Sequence, residues 1–200
     1  MAKFLCVVIM ALMSQTLLAK SIVVLGDSIS AGYGIEVSQG WVAIVQKKLN
    51  DTQHDFTIHN ASISGDTSSG GLARINPLLT QYKPSVLILE LGANDGLRGL
   101  SPAIMKSNLA EIIRRAQQSN AKILLLGIKI PPNYGKRYIE MFYNVYPQLA
   151  KEMKVASIPF LLEDVALSTP LMQPDGLHPN AKAQPIIAEK IWQTLLPLLN

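Results

Sequence analysis

Three residues of the sequence have side chains that could perform nucleophilic catalysis together. Ser28 follows a short apolar run in the tripeptide Gly-Asp-Ser, and His178 lies three positions after Asp175 near the end of the chain. A serine hydroxyl needs a base to lose its proton at neutral pH, and a histidine oriented by a carboxylate can be that base. Ser28, His178 and Asp175 are therefore the predicted nucleophile, base and orienting carboxylate.

Two further polar segments supply hydrogen-bond donors. Gly65 lies in the segment NASISGDT, and Asn94 lies in the segment GANDG. A tetrahedral intermediate of acyl transfer carries an oxyanion, which needs donors aimed at it. The backbone N–H groups of Ser28 and Gly65 and the side-chain amide of Asn94 are the predicted donors. Each residue alone is also typical of an ordinary turn or helix cap, so the prediction depends on their combination.

The spacing Asp-Xaa-Xaa-His occurs twice in the chain, because Asp51 and His54 repeat the spacing of the later pair. The earlier pair lies between a predicted helix and the second predicted strand, at the amino-terminal end of the sheet. A strand of five or six residues is about 17–20 Å long, which is too far for a proton transfer to Ser28. His59 falls within the second strand, where we expect a packed or edge histidine.

Apolar runs alternate with amphipathic segments along the chain, which indicates an α/β fold. Strands that are almost continuously apolar and are separated by helices indicate a parallel sheet covered on both faces. In such a sheet, sites form outside the carboxyl ends of the strands, so the four polar segments can meet at one edge. The predicted strands are 21–25, 56–59, 85–91, 121–128 and 155–159; the predicted helices are 41–49, 67–82, 101–118, 136–153 with an interruption at Pro147, and 181–199.

The first nineteen residues have the layout of a secretory signal peptide. Lys3 precedes an apolar run over residues 4–13, and a polar break is followed by Leu-Leu-Ala. We expect cleavage near Ala19, a periplasmic or secreted protein, and a single domain over residues 20–200. The alternative is an uncleaved anchor, although the run is shorter than the ~20 apolar residues of a spanning helix.

Composition excludes several function classes. The 18 basic and 14 acidic residues are scattered and give a net charge of +4, which does not indicate a nucleic-acid-binding stripe. The single cysteine, Cys6, excludes an internal disulfide and a cysteine-ligated zinc site. The three histidines lack metal-site spacing, so no metal is expected. We assume a monomer by default.

The four segments resemble the sequence blocks of the SGNH (GDSL-type) hydrolases. Gly-Asp-Ser28, Gly65, Asn94 and Asp175-Xaa-Xaa-His178 match those blocks in order and spacing. The stretches NASISGDT, ELGANDGLRG and PPNYGKRY are similar to the bacterial periplasmic thioesterase I, lysophospholipase and arylesterase branch of the family. The resemblance implies a flavodoxin-like three-layer α/β/α sandwich with a five-stranded parallel sheet. It also implies the residue roles given above, without a metal or organic cofactor.

The same resemblance implies a small-molecule substrate: an acyl thioester, a lysophospholipid, or an aryl or fatty ester. The alternatives are a carbohydrate O-deacetylase of the same family and a non-catalytic module that binds a small ligand in the same crevice. We expect transient contact with lipid substrates and no nucleic-acid partner. We assign substrate contacts to seven residues, with the segment 96–100 as a lid and Tyr134 in a second wall: Asp27, Asp95, Gly96, Leu97, Arg98, Leu100 and Tyr134.

Overall fold

The computed structural model describes residues 20–200. The predicted signal peptide and Cys6 lie outside the described residues. Within residues 20–200, the helices are too short or too polar to cross a membrane.

Five strands within residues 20–200 pair in parallel to form one sheet: β1 (Lys20–Gly26), β2 (Phe56–Asn60), β3 (Val86–Glu90), β4 (Lys122–Leu126) and β5 (Ala156–Ile158). Their order across the sheet is β2-β1-β3-β4-β5. Every residue of the central strand β3 is buried, whereas the edge strand β2 is only partly buried. This burial explains why the central strands are runs of aliphatic residues, as expected for a sheet covered on both faces.

In the described part of the chain, seven α-helices connect or flank the strands: α1 (Ser28–Ala31), α2 (Trp41–Asp51), α3 (Ser68–Tyr82), α4 (Ala93–Leu97), α5 (Pro102–Gln118), α6 (Lys136–Met153) and α7 (Gln184–Leu195). Crossovers between parallel strands are right-handed, and the strand order reverses at β1, so α2 lies on the opposite face from α3, α5 and α6. Helix α7 packs against α2, and α5 packs between α3 and α6. The predicted three-layer α/β/α sandwich with a five-stranded parallel sheet is confirmed.

The core lies between the sheet and the inner faces of these helices. Its largest fully buried side chains include Trp41 of α2 and Phe142 and Tyr146 of α6. The Tyr146 hydroxyl donates to the carbonyl oxygen of Leu91 at 3.0 Å, just after β3 ends. This bond gives the buried hydroxyl a partner and fixes α6 against the edge of the sheet where α4 begins.

The predicted interruption of a helix at Pro147 is wrong, because α6 continues through that residue. Proline removes one backbone hydrogen bond and crowds the carbonyl one turn earlier, at a cost of about 3 kcal/mol or more. Pro147 is exposed, whereas Phe142, Val145, Tyr146 and Leu149 form a buried stripe. Packing of that stripe against the core outweighs the local cost.

Candidate active site

The site forms where the strand order reverses, between the neighbouring strands β1 and β3. Helix α1 begins directly after β1, and α4 begins shortly after β3. The side chain of Asp27 caps α1, with its Oδ1 accepting from the backbone N–H of Ile29 at 3.1 Å. This cap makes Ser28 the first residue of the helix and places it at the sheet edge.

The structure brings together Ser28, His178 and Asp175. The distance from Ser28 Oγ to His178 Nε2 is 2.8 Å, although the residues are 150 positions apart in the chain. The distance from His178 Nδ1 to Asp175 Oδ2 is 2.6 Å. Oδ1 of the same carboxylate accepts from the backbone N–H groups of Leu177 at 2.9 Å and His178 at 3.0 Å. These bonds hold the imidazole with one nitrogen on the carboxylate and the other on the hydroxyl.

The surroundings of Asp175 keep its carboxyl group ionised. Its slight burial raises the pKa, but hydrogen bonds from the His178 ring and from two backbone N–H groups outweigh that effect and lower the pKa to about 2. These interactions therefore stabilise the fold above the ordinary pKa of 3.8, and the stabilisation is lost as the pH falls towards 2. An ionised Asp175 keeps a proton on Nδ1 and leaves Nε2 to accept from Ser28.

Two residues that are not among the predicted site residues hold the loop that carries His178. The ring of Tyr33 lies 4.7 Å from the ring of His178, tilted by 40°. The side-chain amide of Gln173 donates to the carbonyl oxygens of Tyr33 at 2.7 Å and Pro179 at 3.1 Å. Tyr33 lies two residues after the end of α1, and this closeness to Ser28 in the sequence is a signal that could have pointed to it. No local pattern, however, connects Tyr33 with Gln173, which is 140 positions later in the chain.

Two backbone N–H groups at the site are not used by regular structure. Ser28 begins α1, so its N–H has no partner within that helix. The N–H of Gly65 makes no hydrogen bond within residues 20–200. Gly65 has φ +83°, a left-handed conformation that other residues rarely adopt. Both residues line the same cavity as His178, so these donors can serve a ligand there.

The Asn94 amide also lines this cavity, but it is already engaged by the protein. Its Nδ2 donates to the carbonyl oxygen of Asp66 at 2.9 Å and to Asp27 Oδ2 at 3.3 Å. The second distance is beyond the usual range for a good N–H···O bond. That N–H is therefore the one that a substrate oxygen could share or take over.

Buried polar contacts fix the donor loops relative to one another. The Asp95 carboxylate accepts from the backbone N–H of Ser68 at 2.8 Å and from its hydroxyl at 2.6 Å, which joins α4 to the start of α3. Arg74 of α3 donates to Asp66 at 2.8 Å and to the carbonyl oxygens of Ala61 and Gly26. These contacts tie the Gly65 and Asn94 segments to the end of β1.

Ser28 and His178 open into a cavity of about 270 Å³ with mainly aliphatic walls. A second cavity of about 460 Å³ adjoins it and adds Tyr143, Phe160 and Met172. The two cavities share five lining residues: Lys129, Ile130, Pro131, Leu162 and Leu177. The site is therefore a polar centre with a continuous, largely apolar groove beside it.

Of the seven predicted substrate contacts, only Leu97 lines the cavity at the centre. Asp27 and Asp95 are buried, and both direct their carboxylates at protein groups. Gly96 is also buried, and a Cβ there would lie 2.6 Å from Ile130 and 2.7 Å from Phe142. In this structure these three positions have packing and positioning contacts, and their assignment as substrate contacts stays a prediction.

The remaining three predicted contacts form hydrogen bonds that hold the segment 96–100. Arg98 donates to the carbonyl oxygen of Gly65 at 2.9 Å, and Tyr134 donates to that of Leu97 at 2.8 Å. The carbonyl oxygen of Leu100 accepts from Tyr138 at 2.7 Å. The side chains of Arg98, Leu100 and Tyr134 lie outside the lining of the central cavity. Movement of this segment as a lid stays a prediction.

The second Asp-Xaa-Xaa-His pair lies away from this site, as its place in the chain predicts. His54 follows α2, with its Nδ1 2.9 Å from the Thr52 hydroxyl and its ring edge-on to Trp192. His59 lies on the edge strand β2 and stacks on Tyr82 with 4.1 Å between ring centres.

Comparison with known proteins gives consistent matches over most of the chain. The model of the GDSL-like Lipase/Acylhydrolase family matches residues 24–185. Esterase TesA of Pseudomonas aeruginosa is 52% identical over 190 residues, which cover 95% of this chain and 94% of that protein. Thioesterase 1/protease 1/lysophospholipase L1 of Escherichia coli K12 is 46% identical over 182 residues, which cover 91% and 86%.

A solved structure agrees with these sequence matches. The psychrotrophic esterase EstA from Pseudoalteromonas sp., in a structure inhibited by monoethylphosphonate, superimposes with a TM-score of 0.86 at 43% identity. The match covers 90% of this chain and 99% of that one. The chain belongs to the GDSL-like lipase/acylhydrolase family.

Proposed function

We propose that this protein hydrolyses carboxylic esters and thioesters through an acyl-enzyme on Ser28. The observation that carries the proposal is the hydrogen-bonded series from Ser28 Oγ through His178 to Asp175, with distances of 2.8 and 2.6 Å. A hydroxyl, an imidazole and an ionised carboxylate in this order form a nucleophile, its base and the group that orients the base. Two backbone donors that have no partner in the described part of the chain lie beside the hydroxyl, and they complete the parts that acyl transfer needs.

The geometry supports a two-step reaction. Ser28 Oγ gives its proton to His178 Nε2 and forms a bond to the acyl carbon, and the resulting oxyanion is stabilised by N–H donors. The bond to the leaving oxygen or sulfur then breaks, and His178 returns the proton to that atom. A water molecule repeats the sequence on the acyl-enzyme and releases the carboxylic acid. Asp175 stays ionised throughout and stabilises the imidazolium.

The apolar groove favours substrates with a single acyl chain. Aliphatic and aromatic side chains line the two adjoining cavities, and few charged groups face them. The relatives are called an esterase and a thioesterase/lysophospholipase, in agreement with such substrates. We propose acyl thioesters, lysophospholipids and aryl or fatty esters as the substrate class.

The test is a hydrolysis screen of the purified protein. It compares p-nitrophenyl esters of graded chain length, an acyl thioester, a lysophospholipid and an acetylated xylan. Hydrolysis of several acyl esters and thioesters is expected, with kcat/KM rising beyond the acetyl group. Release of acetate from the xylan alone would favour the deacetylase instead.

Replacing Asn94 with alanine should lower kcat about 10²–10³-fold, which corresponds to about 2.7–4 kcal/mol of lost oxyanion stabilisation. The amide is predicted to act mainly in the transition state, so KM should change little. Steady-state kinetics on p-nitrophenyl butyrate measure both constants. Asn144→Ala, at an exposed position on α6, is the matched control and should leave kcat unchanged. A loss confined to KM would contradict the proposed role of Asn94.

Filling the second cavity should alter the preference for chain length. Ala166 lines that cavity and not the central one, so Ala166→Phe should block the far part of a long acyl chain. We expect kcat/KM for a decanoyl ester to fall at least about tenfold, since each buried methylene group contributes about 0.8 kcal/mol. The value for the butyryl ester should change less than about twofold.

The matched control for this variant is Ala103→Phe, because Ala103 lines a separate surface cavity beside α5. It should leave the whole chain-length profile unchanged. An unchanged profile in Ala166→Phe as well would show that long acyl chains take another route.

A further inference from the structure

A buried glutamate lies directly behind the turn that carries Ser28. Glu90 is the last residue of β3 and is fully buried. Its Oε2 accepts from the Ser30 hydroxyl at 2.7 Å and from the backbone N–H of Asp27 at 3.3 Å. Its Oε1 has no hydrogen-bond partner in the described part of the chain. One carboxyl oxygen thus holds residues on both sides of Ser28.

The neighbouring strand β1 leaves space for the Glu90 carboxyl group at Gly26. Gly26 is paired with Glu90 in the register of β1 and β3. A Cβ on Gly26 would lie 2.8 Å from Glu90 Oε2 and 2.8 Å from the Cβ of Ser30. Those approaches are too close for any side chain without a shift of the carboxyl group or Ser30. The glycine of the Gly-Asp-Ser tripeptide is therefore explained by the space that Glu90 and Ser30 occupy.

The surroundings of Glu90 disfavour its charged form. An ionised carboxylate without a partner on one oxygen is costly in a buried site. Burial, followed by the nearby charge of Asp27, raises the pKa of Glu90 well above its ordinary value. Burial also raises the pKa of Asp27 to about 6, against the opposing effects of the Ile29 N–H and His178. Burial therefore favours the protonated form of Glu90 more strongly than that of an exposed glutamate.

The other charged or titratable groups near this pair do not neutralise Glu90. Tyr146 of α6 donates its hydroxyl to the carbonyl oxygen of Leu91, and Asp66 adds negative charge near Asp27. Arg74 is paired with Asp66. Within residues 20–200, no cationic side chain forms an ion pair with Glu90.

We propose that Glu90 is a positioning residue for the nucleophile, which it aligns by holding Asp27 and Ser30 against the end of β3. It does not line the central cavity and acts through the turn. In this turn, Ser28 Oγ lies 2.8 Å from His178 Nε2, and Asp27 Oδ2 lies 3.3 Å from Asn94 Nδ2. The predicted effect on turnover rests on the proposed function, whereas the predicted dependence of thermal stability on pH does not.

Two substitutions of Glu90 distinguish the role of its hydrogen-bond acceptor from the role of its charge. Glu90→Gln provides an uncharged side chain that retains a carbonyl acceptor for Ser30 and Asp27, whereas Glu90→Leu removes the acceptor. We expect Glu90→Gln to keep kcat on p-nitrophenyl butyrate within about threefold of the wild type at pH 7. We expect Glu90→Leu to lower kcat at least about tenfold, with KM within about twofold. Equal kcat in the two variants would overturn the proposal.

Thermal unfolding as a function of pH gives a readout that does not need turnover. The folded state of the wild type keeps the Glu90 proton to a higher pH than the unfolded state, so this residue lowers stability as pH rises above 4.5. Glu90→Gln has no carboxyl group to titrate at this position and does not lose stability in this way. Its Tm should therefore increase relative to the wild-type Tm as pH rises from 5 to 8. A constant Tm difference over that range would contradict the raised pKa of Glu90 and, with it, the choice of Glu90→Gln as the conservative variant.

A milder variant covers the case in which Glu90→Leu does not fold. Ser30→Ala removes one of the two held groups and should lower kcat severalfold with KM unchanged; unchanged kcat in Ser30→Ala would overturn the proposal. The exposed Ser69→Ala is its control. Failure of the proposed function would appear differently, as a wild type that hydrolyses no ester, and the dependence of Tm on pH would still decide the protonation of Glu90.

Discussion

Replacing Ser28 with alanine is expected to lower kcat on p-nitrophenyl butyrate by about a million-fold. That is the scale seen when the nucleophile of the subtilisin triad is removed. The physical reason is that, among residues 20–200, Ser28 alone places a hydroxyl against His178 Nε2, so the covalent route is lost. A residual rate of about 10³–10⁴ over water should remain from substrate binding and the oxyanion donors. Purified variant and wild type are compared over a range of protein concentrations, so that trace contamination is recognised.

The control for this substitution is Ser69→Ala, at an exposed position on α3. It changes the same chemical group away from the site and should leave kcat unchanged. Both variants should keep the wild-type Tm within a few degrees, because Ser28 is only partly buried and Ser69 is exposed. A Ser28→Ala protein that keeps more than about one tenth of the wild-type kcat would contradict the role of Ser28.

Removing the base or its orienting carboxylate should also be severe, but only for one of the two Asp-Xaa-Xaa-His pairs. His178→Ala should lower kcat nearly as far as Ser28→Ala, because the two residues act as a unit. Asp175→Asn should lower kcat about 10⁴-fold, since an amide cannot hold the imidazole in the required tautomer. The double variant Ser28→Ala/His178→Ala should be little worse than either single variant.

The chain provides a matched control in Asp51 and His54, which have the same spacing. His54→Ala and Asp51→Asn should change kcat less than about twofold, because His54 contacts Thr52 and Trp192 away from the cavity. Steady-state kinetics of all four variants on one ester provide the measurement. A loss in His54→Ala comparable with that in His178→Ala would invalidate the choice of base.

The sheet and the meeting of the polar segments could be predicted from the sequence because their signals are local. Apolar runs such as β3 and β4 are buried on both faces, so their composition alone indicates that they belong to the central sheet. A parallel sheet then brings the ends of its strands to one edge. Ser28 and His178 could be placed together by that topology, and their atoms lie 2.8 Å apart.

The roles of individual polar residues beside the site could not be predicted in this way. Asp27 and Asp95 occur among the polar residues of the site segments, yet both carboxylates are buried and bind protein groups. Which side of a turn a carboxylate faces depends on partners distant in the chain, such as Asn94 for Asp27 and Ser68 for Asp95. Tyr33 was missed for the same reason, since its contact with His178 depends on how the last loop folds back.

The measurement that tests the central claim most directly is the mass of the protein after reaction with a fluorophosphonate. The reagent carries tetrahedral phosphorus with a leaving fluoride, and an activated serine displaces the fluoride to form a stable adduct. One phosphonyl group on Ser28 is expected, absent from Ser28→Ala and formed far more slowly in His178→Ala. Unmodified protein, or an adduct mapped to another residue, would contradict the assignment of Ser28 as the nucleophile.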